Sequence, residues 1–179
     1  MPGPHQYAPE WYEQMERAAE RSARVVLPIV IEIVRPQTVV DIGCGTGGWL
    51  KVFTELGVSD VVGVDGPTVP THLLKIQQQQ FRAVDLNRDE VALGRMFDLA
   101  MALEVAEHLP EERAADLVRT LVSLSPAVMF GAAIPSQGGT FHVNEQWPDY
   151  WAGLFAGHGY VLLDVFRPRL WDNTQVEYW

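Results

Sequence analysis

Short apolar runs ending in an acid or a turn alternate along this chain with longer stretches whose apolar residues recur every three or four positions. The runs predict strands at 38–42, 61–65, 81–85, 97–103 and 127–133, with two more at 160–166 and 176–179. Helical spacing covers 10–24, through Trp11, Met15, Ala18, Ala19 and Ser22, and then 25–34, kinked or restarted at Pro28. A short helix falls within 73–80. Further helices start at Trp49, run over 111–124 behind Pro110, and open at Pro148 to end near Ala156. Strands alternating with helices predict a mostly parallel sheet covered on both faces. Ligands of such sheets bind beyond the carboxyl ends of the strands. That edge gathers Asp41, Asp65, Asp85, Glu104 and Pro135 on one rim.

The first strand runs straight into a glycine turn, Asp41-Ile42-Gly43-Cys44-Gly45-Thr46-Gly47-Gly48, and a helix follows. The glycines let backbone approach a ligand, and the helix start offers free N–H groups. Gly43, Gly45 and Gly48 satisfy G-x-G-x-x-G, while Gly43, Gly45 and Gly47 equally satisfy G-x-G-x-G, so spacing alone discriminates weakly. Asp41 says more: a carboxylate at the mouth of the cradle repels a pyrophosphate and attracts a cation. Asp65, 22 residues after Gly43, stands where an acid accepts both ribose hydroxyls of a nucleoside.

Composition narrows the partners. The 179 residues, 47% of them hydrophobic, suffice for one compact domain. A net charge of -10 and the lack of a basic face argue against a nucleic-acid partner and for a small, neutral or cationic one. Cys44 is the only cysteine, so no internal disulfide forms and a reducing, cytoplasmic setting is expected. Its place in the turn suits a small residue beside a ligand better than a nucleophile. Met1-Pro2-Gly3-Pro4-His5 is neither basic nor apolar, unlike a signal peptide, and the apolar run 25–34 is too short and too interrupted to cross a membrane. Oligomeric state is not readable.

Asp41-Ile42-Gly43-Cys44-Gly45-Thr46-Gly47 resembles the first motif of the class I S-adenosylmethionine (SAM)-dependent methyltransferases, and the resemblance runs from about residue 20 to the end of the chain. It implies a three-layer, Rossmann-like α/β sandwich with a seven-stranded, mostly parallel sheet closed by a C-terminal antiparallel hairpin. It also implies a helical lid or cap over 1–36 on a core of 37–179, a single domain overall. By the same resemblance Gly43, Gly45 and Gly47 cradle the cofactor. Asp41 orients the loop and the methionine amino group, Asp85 and the N–H of Leu86 meet adenine, and Glu104 lines the cleft. Tyr12, with Trp11, lies in the lid segment, where packing on the outer sheet is an equal alternative.

Glu104, Glu107 and His108 stand at i, i+3 and i+4, one face of a helical turn. Some relatives, among them quinone-pathway O-methyltransferases and small-RNA 2′-O-methyltransferases, hold a metal with a similar E-x-x-E-H, and in the latter a further histidine, here His142, completes the set. Acid/base or substrate contact by His108 and a purely structural role are the alternatives, each ranked above the metal. The loop 135–147 is polar, glycine-hinged and on the rim. His142, Asn144 and Glu145 are its candidates for substrate, with His108, His142 and Glu145 as acid/base groups. Trp147 is a further substrate candidate, although Trp147, Tyr150 and Trp151 read more readily as a helix face packed on the sheet. Trp147-Pro148-Asp149-Tyr150-Trp151 and Arg167-Pro168-Arg169-Leu170-Trp171 resemble small bacterial methyltransferases of polysaccharide and secondary-metabolite clusters.

The expected reaction is methyl transfer from SAM to an oxygen or nitrogen of a small molecule. The rivals are a SAM-binding protein that is silent or uses SAM otherwise, such as for cyclisation, and, further off, an NAD-dependent dehydrogenase.

Overall fold

A computed structural model describes residues 9–177, with side chains from residue 17 onward. Five parallel strands form one sheet in the order β3-β2-β1-β4-β5. They are β1 (Thr38–Ile42), β2 (Asp60–Asp65), β3 (Phe81–Ala83), β4 (Leu99–Leu103) and β5 (Val128–Gly131). In β1, Val39 joins a core cluster on one face with Leu99 and Met101, and Val40 and Ile42 join the opposite cluster with Ala100 and Ala102. That two-residue alternation is what a strand buried on both faces requires.

Helices α1 (Pro9–Val34) and α2 (Gly48–Glu55) cover the first face. Ala23, Val26, Leu27 and Val30 of α1 pack there with Leu50 and Phe53 of α2. Lys51 donates to Glu20 at 2.7 Å, and Arg24 pairs with Glu55. Helices α3 (Ala114–Leu124) and α4 (Pro148–Ala156) cover the second face through Leu117, Val118, Leu121 and Trp151. A short α5 spans Arg167–Leu170.

The helix does not restart at Pro28; α1 runs through it as one element. An interior proline costs a helix about 3 kcal/mol, which the buried Ala23-Val26-Leu27-Val30 stripe offsets. The helix expected within 73–80 is two 3₁₀ turns, Thr71–Leu73 and Gln78–Gln80.

The larger correction concerns the sheet. It has five strands, all parallel, not seven with an antiparallel hairpin. Residues 160–166 form no strand, and Val161, Leu162 and Leu163 stand 80%, 65% and 67% exposed. The Tyr160 hydroxyl donates to the carbonyls of Val122 and Ser125, anchoring the segment at the end of α3 rather than along β5. Asp164 then pairs with Arg167 at 3.1 Å, and α5 begins. A continuous apolar run shows strand propensity, but pairing needs a partner edge, and that information is not local. Residues 176–177 form no strand, and 178–179 lie outside the described residues.

Candidate active site

Because every strand is parallel, their carboxyl ends share one edge, and the rim residues fall on it. Two regions develop there, one on each side of β1.

The first is the glycine turn. The N–H groups of Gly43 and Cys44 donate to the Val64 carbonyl at 2.7 and 3.1 Å, folding the turn across the end of β2. Gly43, Gly45 and Gly47 are left-handed, with φ of 83°, 56° and 90°. At Gly43 a Cβ would meet the Val105 side chain at 2.2 Å, so only glycine fits. Gly47 precedes α2 and supplies no side-chain cap, leaving the first-turn N–H groups for a ligand. Cys44 points inward instead: it is buried, its thiol is pushed well above its usual range by burial, and its Sγ fills the space above Gly63. That environment suits packing and not nucleophilic attack.

Asp65, at the end of β2, accepts the N–H of Gly45 and that of Gly66, both at 2.6 Å. Each carboxylate oxygen keeps a lone pair for a hydroxyl donor. Burial raises the Asp65 pKa, against the two N–H bonds. Asp41, buried within β1, is pushed up to about 8 by burial and by the charge of Asp65. A buried Asp41 and a half-buried Asp65 that repel each other, beside backbone donors, fit a nucleoside carrying positive charge, as SAM does, and disfavour a pyrophosphate. Asp85 forms a turn, accepting the Asn87 N–H at 3.1 Å, and the Leu86 carbonyl accepts the Arg113 guanidinium at 3.1 and 3.3 Å. Arginine thus ties the expected adenine-contact loop to the start of α3.

The second region follows β4. Glu104 has φ 56°, a left-handed conformation uncommon for a non-glycine residue and frequent at functional sites. A 3₁₀ turn, Ala106–His108, then carries Glu107 inward until it is 0% exposed. Neither Glu107 carboxylate oxygen meets a donor in hydrogen-bonding geometry. Burial raises its pKa, and Glu104 beside it is pushed up to about 8 by burial and by the Glu107 charge. An unpaired carboxylate in that position is costly unless it holds a proton or faces a cation.

The loop after β5 brings His142 to this place. Val143 and Asn144 donate their N–H groups to the Glu107 carbonyl at 2.8 and 3.1 Å, and Gln137 donates to Glu104 at 3.4 Å. Glu107, His108 and His142 each bring a ligating atom within 4.8 Å of the others, and Glu104 adjoins Glu107 outside that group. The two histidine rings meet edge to face at 5.0 Å. One buried carboxylate and two imidazoles form a donor set suited to a transition-metal or magnesium-type cation.

Glu145 binds within its own loop, at 2.9 Å from His142 Nδ1, which holds its pKa below the usual range. Asn144 is buried, its amide oxygen taken by Gln146 at 3.0 Å and its Nδ2 without a partner. Trp147 stands 58% exposed, whereas Trp151 packs on Phe130. Of the helix-face trio Trp147 is the exposed one, Tyr150 is half-buried against Trp151, and Trp151 is buried. The side chain of Tyr12 lies outside the described residues. Sequence reasoning does not single out Gln137, Gly139 or Val105; only the long-range contacts reveal them, although the two loop positions lie in a stretch whose glycines mark it as irregular.

The profile of the family described as a methyltransferase domain matches residues 11–162, and the chain belongs to that family. This decides against the dehydrogenase reading. The chain is 34% identical over 107 residues to the ribosomal RNA large subunit methyltransferase E of Caulobacter sp. strain K31, covering 58% of this chain and 46% of that protein. It is 28% identical over 140 residues to the ubiquinone biosynthesis O-methyltransferase of Nitrobacter winogradskyi, covering 74% and 49%. The chain spans about half the length of these curated relatives. Magnesium protoporphyrin IX methyltransferase from Synechocystis PCC 6803, solved with SAH, shares the fold with a TM-score of 0.62 at 18% identity, over 90% of this chain and 81% of its own. No helix among the described residues is long and apolar enough to cross a membrane.

Proposed function

We propose that this chain transfers a methyl group from SAM to a hydroxyl of a small molecule, with a divalent cation held by Glu107, His108 and His142 and supported by Glu104. The observation that carries the cation is Glu107: a fully buried carboxylate with no donor in full hydrogen-bonding geometry, eased by the nearby Ala133 backbone and the Glu104 carboxyl, and facing two imidazoles. This ranks the metal above the acid/base and scaffold roles that sequence alone preferred.

SAM supplies an electrophilic methyl group on a sulfonium. Asp65 receives the ribose hydroxyls, Asp41 and Asp65 favour the positive charge, and Asp85 with the Leu86 N–H faces adenine. The Gly43–Gly47 backbone fixes the methionine end, and Glu104 borders both regions. A divalent cation supplies positive charge that favours ionisation of an acceptor hydroxyl. His142 and His108 position that oxygen, and the enzyme mainly aligns two reactants. Trp147, Val143 and Ile134, 58%, 64% and 40% exposed around the loop, favour an acceptor with an apolar ring or chain. Biosynthesis of a natural product or a sugar derivative is the setting these features suit.

A nucleic-acid acceptor, as the name of the Caulobacter relative states for that protein, is opposed by the net charge of -10. The test is S-adenosylhomocysteine formation from SAM with a panel of phenolic, aliphatic and sugar alcohols, in Mg²⁺, Mn²⁺ or EDTA. Cation-dependent turnover of an alcohol supports the reading. Equal turnover in EDTA removes the metal from it, and turnover of RNA alone removes the small molecule.

A further inference from the structure

The loop spanning 134–146 is a closed structure, with its end tied to its start by the Gln146 N–H donating to the Ala133 carbonyl at 3.3 Å. Two non-glycine residues in it, Ser136 and Phe141, are left-handed, with φ of 73° and 65°. Such conformations persist only where the surroundings fix them. The fixing group is the Glu145 carboxylate. Its Oε2 accepts the Ser136 N–H at 2.9 Å. Its Oε1 accepts the Gly138 N–H at 2.9 Å and lies 2.9 Å from His142 Nδ1. Three donors from three points of the loop therefore converge on one side chain.

A carboxylate only accepts hydrogen bonds, so the ring nitrogen facing it carries the hydrogen. In a neutral imidazole that leaves Nε2 with a bare lone pair, the form that binds a cation or takes a proton. The ring is also seated tightly: a Cβ on Gly139 would lie 2.3 Å from Nε2 and Cε1. The Val143 and Asn144 bonds to the Glu107 carbonyl anchor the same stretch against the other ligands.

We propose that Glu145 is the positioning residue of this site, holding the loop closed and setting the orientation and tautomer of His142. Its role is in the loop rather than in proton transfer, because three of its four lone-pair sites are taken by loop donors. This rests on the cation reading for its catalytic consequence but not for its structural content. Carboxylate partners of metal-binding histidines generally raise metal affinity by about 10–100-fold.

The test uses the full chain with Glu145→Gln and Glu145→Ala. Glu145→Gln keeps the shape but turns an amide NH₂ toward one of the N–H donors. Histidine ¹⁵N spectra at alkaline pH read the tautomer without any metal, calorimetry with Mn²⁺ reads the site, and calorimetry with S-adenosylhomocysteine reads the glycine turn. We expect His142 as the Nδ1–H tautomer in wild type and as Nε2–H in Glu145→Ala. Mn²⁺ affinity falls about 10–100-fold in both variants, and cofactor affinity stays within about twofold. A merely structural Glu145 would lower thermal stability and leave the tautomer alone. His142 keeping its wild-type tautomer in both variants overturns the proposal. So does unchanged Mn²⁺ affinity. Wild type that binds no Mn²⁺ fails the cation reading, and the tautomer then decides for or against Glu145.

Discussion

The two regions flanking β1 are built by different means. The glycine turn is local: Asp41 to Gly48 are consecutive, and their hydrogen bonds run from backbone to the adjacent strand. The acid–histidine region joins Glu104–His108 to a loop some thirty residues on, through Glu107, Gln137, His142 and Glu145. Its backbone bends at non-glycine residues, Glu104, Ser136 and Phe141. A feature common to a whole family is carried by backbone and tolerates varied neighbours. A feature that selects one acceptor is carried by side chains, strained and assembled at long range. On the proposed reading, cofactor chemistry and acceptor chemistry are separable by mutation.

The largest effect is expected at Gly43→Ala. The added Cβ meets Val105 at 2.2 Å in a left-handed conformation, so stability falls by about 2–4 kcal/mol. Thermal unfolding should show a Tm lower by roughly 5–15 °C, with cofactor binding lost. Because Val105 adjoins Glu104, this change reaches both regions. Retention of wild-type Tm and binding would break the claim that the turn is sterically fixed.

Glu107→Gln and His142→Ala should separate the regions. Turnover is expected to fall by about 100-fold or more while S-adenosylhomocysteine affinity stays unchanged. In metal-free protein Glu107→Gln removes a buried repulsive charge and should not lower Tm at alkaline pH. Equal loss of cofactor affinity, by calorimetry, would show that the two regions are one.

The pH dependence has a definite sign. Asp41 and Glu104 have folded-state pKa values raised to about 8, above the unfolded values near 4. Between these limits the native state binds more protons than the unfolded chain, so ligand-free stability falls as pH rises from about 4.5 to 8. On the proposed reading, a bound cation would take the place of protons held at Glu104 and Glu107. Mn²⁺ should therefore raise Tm more at pH about 8 than at about 5.5. Scanning calorimetry at both pH values checks this, and a larger rise at the acid end contradicts it.

The smallest effect is expected at Trp147→Ala. The side chain is 58% exposed, so stability should change by less than about 0.5 kcal/mol. KM for an apolar acceptor should rise several-fold with kcat unchanged. A fall in kcat alone would place Trp147 in the chemistry rather than in acceptor binding.

Sequence legibility followed the same division. β1, the turn and α2 were readable because run, glycines and helix start are contiguous, and the parallel sheet followed from alternation of elements. The spacing from Gly43 predicts Asp65 beside the turn, and its carboxylate accepts the Gly45 N–H there. The E-x-x-E-H spacing predicts a shared face of one helical turn; the structure instead joins Glu107 and His108 through a 3₁₀ turn, and Glu104 meets Glu107 from a left-handed residue before it. The nearness of His142 depends on the path of the loop, which no period encodes. The same limit explains the sheet: Val161-Leu162-Leu163 has the composition of a strand, and only the anchoring of Tyr160 at α3 shows that it does not pair. Pro28 is the reverse case, a local breaker overridden by burial of its neighbours.

The central claim is that the glycine turn and Asp65 bind the methyl donor. Calorimetric titration of S-adenosylhomocysteine into wild type and Asp65→Ala, with NAD in parallel, tests it most directly. The account predicts micromolar binding to wild type, loss in the variant, and no NAD binding. Undiminished binding to Asp65→Ala, or no binding to folded wild type, contradicts it.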